Sequence, residues 1–379
     1  MQTDFDIAIC GAGPVGLTLA ALLVRHGIVP ERLALIDAKT IEQTSRDPRS
    51  IALSYGSRQI FETMHAWPIA ATQINQIHVS RCGHFGRTMI EREEYDLPAL
   101  GYVTRYGAIV TALNAQVSAL GISLLRPASV SALVENDDAV TLTFTDREPI
   151  TANIVVQAEG GIFTEQTKKT THRDYGQTAI VAHVNVSAAI PHRAFERFTN
   201  EGPLALLPQD DGYALVWCVR ADTTQRLLAL SDAQFMEELG TAFGTRLGRF
   251  TATTQRNTFP LGLNAHANAS ARIVAIGNAA QTLHPVAGQG LNLGLRDATV
   301  LAKLLARQTG PTALQEFSAS RLTDRNATIQ LTDIMARIFA ATSAGGISQA
   351  LLGFSLGLVD GIKPAKKLLA EQMMFGRRS

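Results

Sequence analysis

The chain has 379 residues, of which 46% are hydrophobic and 18% are charged. This composition is typical of a compact globular protein and excludes disorder, collagen-like repeats and simple coiled coils. The net charge of +1 and the lack of a basic block argue against a nucleic-acid partner. At about 150 residues per domain, the length predicts two or three lobes.

Neither a disulfide framework nor a metal site is expected. The three cysteines, Cys10, Cys82 and Cys218, lie far apart and have no metal-type spacing, so they are interpreted as reduced thiols of a cytoplasmic protein. The N-terminus has no basic segment before its first apolar stretch, and no run of about 20 apolar residues follows. We therefore expect neither export by this route nor a membrane-spanning helix.

The first forty residues predict a βαβ unit. Phe5 to Cys10 is a short apolar run that ends at glycine, and Pro14 to His26 has the composition of a buried helix. Leu33 to Ile36 forms a second apolar run that ends at Asp37. Strand, tight turn, helix and strand in this order are typical of a nucleotide-binding unit.

Further along the chain, the hydrophobic pattern predicts a β-rich insertion. A helix is predicted over Ile60–Trp67 and another from the Ser231/Gln234 cap to Leu247. Strands are predicted in a hairpin over Ser131–Phe144 and at Ile154–Val156, Thr178–Val186, Leu204–Leu207, Tyr213–Val219 and Arg272–Ile276. These strands occupy too much of the chain to belong to one doubly wound lobe, so a second lobe is expected.

The turn after the first strand has the GxGxxG pattern. Its glycines permit a tight turn, let a pyrophosphate approach the backbone and let helix and strand pack closely. The candidate dinucleotide-binding residues are Gly11, Ala12, Gly13, Pro14, Gly16 and, for a ribose, Asp37. The pattern does not distinguish NAD from FAD, and close packing alone is the alternative reason for such glycines.

A second glycine-rich segment lies within residues 272–297, which comprise the strand at Arg272–Ile276, a glycine-rich loop and a helix start. With this segment the chain resembles the flavoprotein aromatic hydroxylases of the para-hydroxybenzoate hydroxylase type, especially the 2-polyprenyl-6-methoxyphenol hydroxylases of ubiquinone biosynthesis. The resemblance implies flavin and ribityl contacts at Gly277, Asn278, Pro285, Gly288, Gly290, Leu291 and Asn292. A helix beginning near Gly290 would point its positive end at the flavin, which would stabilise negative charge on the reduced ring.

Other FAD contacts follow from the resemblance. Arg49 matches an arginine that contacts the diphosphate or approaches the flavin, Arg105 is a weaker candidate by position, and Val130 is a candidate for backbone contacts to adenine. The family's Ala-Asp-Gly motif is replaced by Ala-Glu-Gly, which makes Glu159 and Gly160 candidates. The alternatives are an exposed loop arginine at position 49, a plain strand residue at 130 and a turn carboxylate without a ligand at 159.

The resemblance implies an α/β fold with a Rossmann-like, three-layer FAD-binding domain, an inserted β-sheet substrate domain and C-terminal helices. The FAD-binding domain is expected to comprise 1–75, 100–170 and 270–330, and the substrate domain 76–99 and 171–269. A C-terminal helical region is expected over 331–379.

The implied activity is hydroxylation of a polyprenylphenol ring through a flavin C4a-hydroperoxide, with O2 as co-substrate and NAD(P)H or another reductant as electron donor. The sequence identifies no catalytic side chain. An FAD enzyme acting on another lipid or aromatic substrate, and an FAD-containing structural subunit of a quinone-biosynthesis complex, remain alternatives. A homo-oligomer is a further hypothesis.

The C-terminal region has two interpretations. Apolar residues at helical spacing (Leu331, Ile334, Met335, Ile338 and Phe339) form one stripe. The glycine-interrupted apolar run 350–359 is followed by five of the six basic residues between 331 and 379. Peripheral contact with an anionic membrane, on its inner face, is one interpretation. Helices that cap the FAD-binding domain, with a solvated basic end, are the other.

Overall fold

The computed structural model describes residues 3–82, 87–160, 171–265, 269–284, 288–340, 371 and 374–375. Within them the strands are β1 (Phe5–Cys10), β2 (Leu33–Ile36), β3 (Ser50–Ser54), β4 (Ala71–Ile74), β5 (Gln76–Arg81), β6 (Arg87–Glu91), β7 (Gly101–Arg105), β8 (Ser123–Leu125), β9 (Val130–Glu135), β10 (Val140–Phe144), β11 (Ile150–Gln157), β12 (Thr171–Val186), β13 (Arg193–Phe198), β14 (Pro203–Gln209), β15 (Gly212–Arg220), β16 (Phe250–Thr253), β17 (Asn257–Ala265) and β18 (Ile273–Ala275). The helices are α1 (Pro14–Arg25), α2 (Ile41–Ser45), α3 (Tyr55–Thr63), α4 (Tyr106–Ser118), α5 (Ala221–Ala229), α6 (Asp232–Phe243), α7 (Gln289–Arg307) and α8 (Pro311–Ala340).

A seven-stranded sheet contains the predicted βαβ unit. Its strands lie in the order β8, β2, β1, β11, β10 and β9, and β18 pairs with β11. The pairs among β8, β2, β1, β11 and β18 are parallel, whereas β10 pairs antiparallel with both neighbours. Because the carboxyl ends of parallel strands meet at one edge, the turns at Gly11, Asp37 and Gly277 come together there.

Two apolar layers cover this sheet. Ile7 and Ile9 face a core shared with α1, α4 and α7, while Ala8 and Cys10 face the other side, where the β9–β10 hairpin contributes Phe144. Strands buried on both faces read as continuous apolar runs, which is why β1 and β2 were recognisable in the sequence. The α/β architecture with a three-layer nucleotide-binding part is confirmed.

An eight-stranded sheet forms the second half of the molecule. Its order is β16, β12, β15, β14, β13, β5 and β6, and β17 also pairs with β12. Helices α5 and α6 cover one face. The other face meets a three-stranded sheet of β3, β7 and β4, where Val103 of β7 packs with Ala194 of β13. The Ser50 hydroxyl also donates to Gln209 Oε1 at 2.8 Å, so the two sheets are joined directly.

The predicted strands are present, but two predicted helices differ. The helix placed at Ile60–Trp67 is α3, which begins earlier because the Ser54 side chain accepts from the Ser57 backbone N–H and caps it. The helix predicted to reach Leu247 is α6, which has the expected capping box but stops before Gly244. Gly244 takes φ +90, a conformation that a helix cannot continue through.

The predicted domain limits remain a prediction. Helix α8 runs without a break across residue 330, so that limit does not coincide with a helix end. The side chains of the predicted stripe from Leu331 to Phe339 lie outside the described residues. Among the helices described, none is long and apolar enough to cross a membrane.

Candidate cofactor and substrate site

The glycine-rich turn between β1 and α1 has the geometry that its three glycines predict. Gly11 takes φ +108, and a Cβ there would lie 2.7 Å from the Ala158 backbone. A Cβ on Gly16 would lie 1.8 Å from the Gly11 carbonyl oxygen. A Cβ on Gly13, in contrast, would meet only the Tyr106 hydroxyl, at 3.0 Å. Gly11 and Gly16 therefore serve the fold, whereas Gly13 leaves space beside the helix.

The start of α1 suits a phosphate group. Gly13 is the N-cap residue and gives no side-chain cap, and Pro14 occupies the first position of the helix. The first N–H groups of a helix have no partner within the helix, and they carry its positive end. An open glycine beside an uncapped helix start is the arrangement that binds a diphosphate.

Two carboxylates lie beside this turn. Asp37 Oδ2 accepts from the Ala12 backbone N–H and Oδ1 from that of Lys39, each at 2.7 Å. A carboxylate has about four acceptor positions, so Asp37 can hold the turn and still accept from a ribose. Glu159 follows β11 directly. Desolvation by the surrounding protein, together with the negative charge of Asp37, raises the pKa of Glu159.

The fold brings the second glycine-rich segment against the first. Gly277 follows β18 with φ +59, and a Cβ there would lie 3.2 Å from Val15 of α1. Gly294 of α7 is equally close, because its Cβ would lie 2.8 Å from Val15 and 3.0 Å from the Gly277 Cα atom. Asn278 lies half-buried in the short helical turn after Gly277. The two motifs, about 260 residues apart in sequence, form one site.

The start of α7 is open in the same way as that of α1. Gly288 is its N-cap with φ +60, and no side chain caps the helix. A Cβ on Gly290 would meet nothing within 4 Å, so the first turn leaves room for a ligand. Leu291 is partly buried against the main core. Two open helix starts and the space at Gly13 fit a cofactor with both a diphosphate and a ring that accepts negative charge.

Asn292, predicted to contact the cofactor, uses its side chain within the protein. Its amide nitrogen donates to the carbonyls of Gly288 at 2.7 Å and Ala52 at 3.0 Å. Its amide oxygen accepts from the Ser54 N–H at 2.9 Å and the Ser57 hydroxyl at 2.7 Å. Asn292 therefore fastens β3 and α3 to α7, and only its backbone is left for the predicted contact.

Arg49 lies across Tyr106 from the glycine-rich turn. Its guanidinium pairs with Asp47 at 2.7 Å and lies 4.7 Å above the Tyr106 ring. The Tyr106 hydroxyl in turn borders Gly13. A planar guanidinium held in this way can still offer donors to a diphosphate. Tyr106 carries no motif signal, and its part in the site depends on α4 packing beside α1.

The structure gives less support to the remaining candidate cofactor-binding residues. The Arg105 guanidinium is half-exposed and pairs with Asp210 at 2.6 Å, so the structure does not bring it to the glycine-rich turn. Val130 begins β9, two residues after Ala128, whose N–H donates to the Asp37 carbonyl. Gly160 is exposed with open space around it. Pro285 lies outside the described residues.

A cluster of buried charged side chains contacts the loop of the second glycine-rich segment. Asp297 is fully buried and accepts from Arg321 at 2.8 Å and from Arg325 at 2.8 Å. The Gln281 side chain also donates to Asp297, at 3.2 Å. Arg296 and Arg321 share Asp324. The cluster links α7 and α8 to the loop that follows Gly277.

One face of the eight-stranded sheet forms the opposite wall of the site. His284 Nε2, in the loop after Gly277, lies 3.2 Å from Gln177 Oε1 of β12. The Arg49 guanidinium lies 6.0 Å from the Phe259 ring of β17. Burial lowers the pKa of His284 to about 4, so the ring that bridges loop and sheet is neutral at pH 7. We call this face of the sheet the cleft face.

The middle of the cleft face is open. Residues that register across five strands form one row, here called the central row: Val79, Glu196, Ala205, Val216 and Val181. All five are partly exposed. On the reverse face, the large side chains packed against α5 and α6 are buried, including Phe195, Leu215 and Trp217. A central row left open beside the nucleotide-binding part indicates an apolar cleft.

Sequence reasoning identified the cofactor motifs but missed this second wall. Tyr106, Gln177, Phe259 and the central row lie on ordinary strands and helices, with no motif to mark them. Alternation along β12 to β15 shows that two faces exist, and only the sheet packing shows which one is open. Within the described residues, no group of three or more His, Cys, Asp or Glu side chains could hold a metal ion.

Comparisons with known proteins identify the family of this chain. The FAD binding domain family matches residues 4–332. An uncharacterized protein from Synechocystis sp. is 32% identical, over 100% of this chain and 95% of its own length. Ubiquinone hydroxylase UbiL from Rhodospirillum rubrum is 31% identical, over 97% of this chain and 89% of its own. The crystal structure of p-nitrophenol 4-monooxygenase PnpA from Pseudomonas putida superimposes with a TM-score of 0.75 at 16% identity, over all of both chains.

Fold and site together define an FAD-dependent monooxygenase. Its cofactor is FAD, and NAD(P)H is the typical reductant of such enzymes. The chain belongs to the FAD binding domain family, in the group that includes UbiL. The resemblance recognised from the sequence is thereby confirmed, while the individual cofactor contacts remain predictions.

We expect Asn278→Asp to retain FAD. An amide and a carboxylate both offer an oxygen that can accept from a ribityl hydroxyl. Asn278→Ala lacks that acceptor and should bind FAD about tenfold more weakly, the equivalent of one hydrogen bond. Quenching of flavin fluorescence on titration into the apoprotein measures both affinities. Loss of flavin from Asn278→Asp would show that the amide N–H2 group makes the essential contact.

Proposed function

We propose that this protein hydroxylates the aromatic ring of a polyprenylphenol intermediate in ubiquinone biosynthesis. The observation that carries the proposal is the similarity to UbiL over nearly the full length of both chains. The open central row on the cleft face supports it, because four of its five residues are apolar and an aromatic ring with an isoprenoid tail needs an extended apolar surface.

The reaction balances as an insertion of one oxygen atom. A ring C–H group, O2, NAD(P)H and a proton give a ring C–OH group, water and NAD(P)+. Bound FAD supplies the electron transfer that activates O2. The protein has to hold the cofactor and keep water from the reacting centre.

The described residues have separate tasks in this proposal. The starts of α1 and α7 hold the diphosphate and the ring end of the cofactor, and Asp37 holds a ribose. Asn292 and the Asp297 cluster fix the two loops on either side of the flavin. The cleft face forms the wall against which the substrate ring lies, with His284 and Gln177 closing the contact between loop and sheet.

Isotope incorporation tests the proposal. The purified FAD-loaded enzyme is incubated with NADH or NADPH, labelled O2 and a phenol carrying a short isoprenoid chain. We expect a product that has gained one labelled oxygen atom on the ring. Flavin reduction without any labelled product from polyprenylphenols would contradict the assignment. The quinone intermediates that accumulate in a deletion strain identify the ring position.

Contact with an anionic membrane also remains part of the proposal, because a substrate with a long isoprenoid tail is drawn from a bilayer. Met374 is buried with Leu100, and Phe375 packs on Tyr55 with ring centroids 6.1 Å apart. Residues 374 and 375 therefore pack against the folded part of the protein. A quinone-biosynthesis complex and a homo-oligomer stay hypotheses.

We expect the full-length protein to float with anionic liposomes and a chain that stops after Gly346 to float less. The truncation also removes the packing of Met374, so a second variant is required. Charge reversal at Lys363, Lys366 and Lys367 keeps that packing and should weaken flotation as well, since each basic residue contributes about 1 kcal/mol near an anionic surface. Equal flotation of all three proteins would rule the contact out.

A further inference from the structure

The central row of the cleft face carries one ionisable side chain. Glu196 lies on β13, between Val79 of β5 and Ala205 of β14. Along its own strand, the residues on the same face are Ala194 and Phe198, both buried. The carboxyl group therefore lies in apolar surroundings in the middle of the sheet.

One oxygen of the Glu196 carboxyl group makes no hydrogen bond in the described part of the protein. This oxygen, Oε1, is buried. A buried acceptor left without a partner costs about 1–3 kcal/mol, and an apolar residue here would avoid that cost. On the reverse face of the same strand, Arg193 and Arg197 bond to Gln76 and to the Ala242 carbonyl. The strand thus satisfies its polar groups on one face and leaves this acceptor open on the cleft face.

The carboxyl group faces the substrate side of the site. The strand register runs from Glu196 through Ala205 and Val216 to Val181, so these side chains share one face of the sheet. Val181 lies on the same face of β12 as Gln177. Gln177 contacts His284 in the loop after Gly277. The same face of the sheet therefore presents the open acceptor to the space that the loop borders.

We propose that Glu196 is the catalytic base that accepts the proton of the substrate's ring hydroxyl. The proposal rests on the proposed function, since it requires a phenol as substrate. The proton moves from the hydroxyl oxygen to a Glu196 carboxylate oxygen, and the O–H electron pair stays on the ring oxygen. The resulting phenolate donates electron density to the ring carbon that receives oxygen. Glu196 returns the proton to solvent after product release.

The electrostatic surroundings fit this role. Burial raises the pKa of Glu196 to about 7, where a general base is most effective near neutral pH. Titratable or charged residues on the cleft face are Cys218 and Arg220 on β15, Arg81 on β5 and His183 on β12. Arg220 pairs with Glu201 at 3.2 Å. Burial, with the charge of Glu196, raises the pKa of Cys218 well above its usual value, so that thiol stays neutral and cannot serve as the base.

The elements packed against the cleft face add few ionisable groups near Glu196. The three-stranded sheet contributes Ile74 and Val103, which pack with Ala194. Tyr95 packs near Ile77 at the far edge, and burial, with the charges of Glu94 and Glu371, raises its pKa to about 12. Tyr95 is thus protonated at neutral pH and cannot serve as the base.

The test compares Glu196→Gln with the wild-type FAD-loaded enzyme and with Glu237→Gln. Glu237 is exposed on α6, which covers the reverse face of the sheet. The amide keeps the shape of the carboxyl group but cannot take up a proton. We expect the wild-type kcat/KM to fall about tenfold per pH unit below pH 7, because only the ionised carboxylate acts as a base. Glu196→Gln should lose about 100-fold at pH 8 and lose this acidic limb, while Glu237→Gln matches the wild type.

A spectroscopic titration provides a readout that does not depend on turnover. A phenol bound to the oxidised wild-type enzyme should show phenolate absorbance at a lower pH than the free phenol, and Glu196→Gln should not shift it. A fluorinated substrate whose hydroxyl is already ionised should restore hydroxylation by Glu196→Gln. Wild-type hydroxylation with an unchanged pH profile and unchanged phenol ionisation in Glu196→Gln would overturn the proposal. Absence of hydroxylation in the wild type would contradict the proposed function instead, and the ionisation titration would still decide the role of Glu196.

Discussion

Gly13→Val is expected to yield a folded protein that no longer retains FAD. Gly13 has φ −78, which valine adopts without strain, and its Cβ would meet only the Tyr106 hydroxyl. The branched side chain instead fills the space beside the uncapped start of α1, where the diphosphate must approach the backbone. We expect the FAD dissociation constant to rise at least about 100-fold, equivalent to roughly 3 kcal/mol. The flavin absorbance of the purified protein and titration of the apoprotein measure this.

Two further variants separate the cofactor effect from a folding defect. Gly13→Val combined with Tyr106→Phe removes the hydroxyl that the new side chain would meet, and this double variant should still lack FAD. Gly16→Val should fail to fold, because its Cβ would lie 1.8 Å from the Gly11 carbonyl oxygen. Stoichiometric FAD in a folded Gly13→Val protein would refute the placement of the diphosphate at this turn.

Asp297→Asn is expected to destabilise the protein by about 3 kcal/mol or more, the usual cost of breaking a buried ion pair from one side. The buried cluster holds three cations, Arg296, Arg321 and Arg325, against two anions, Asp297 and Asp324. After the substitution, one carboxylate remains for three guanidinium groups. The free energy of unfolding from urea titration of the FAD-loaded protein measures the effect.

The matched control is Glu238→Gln, another change from carboxyl to amide. Glu238 pairs with Arg226 at 2.9 Å, but both side chains are about half exposed, at 44% and 53%. Exposed pairs contribute about 0–1 kcal/mol, so this variant should unfold at nearly the wild-type urea concentration. If both variants lost the same stability, the buried cluster would not have the supporting role described for it.

The sequence was most informative where backbone geometry and chemistry coincide. Gly11 and Gly16 must be glycine because any side chain there would collide with backbone. Asp37 follows the second strand of the βαβ unit, so its position beside the turn follows from strand topology. The second segment was recognised from residues 272–297, and the fold places it against α1. These features depend on short stretches of chain, which local sequence determines.

Other residues had roles that the sequence could not reveal. Asn292 stands in a glycine-rich helix start, where a flavin contact is a natural expectation, yet its amide bonds four protein groups contributed by β3, α3 and the start of α7. Arg105 lies one residue before Tyr106, but its guanidinium reaches Asp210, more than a hundred residues away. A side chain's partners depend on which elements pack beside it, and a local sequence motif does not show which elements those are.

By itself, the sequence determined the nucleotide-binding βαβ unit and the second glycine-rich segment, because these depend on glycine conformations and on spacings within single elements. FAD and the enzyme class followed from the family resemblance of residues 272–297. The tertiary structure decided which face of the eight-stranded sheet lies open to the site and that Glu196 lies on it. Alternation along a strand assigns residues to two faces, but the packing of α5 and α6 on one of them determines which face is closed. That choice is made by contacts between segments far apart in sequence, and the position of the substrate wall depends on it.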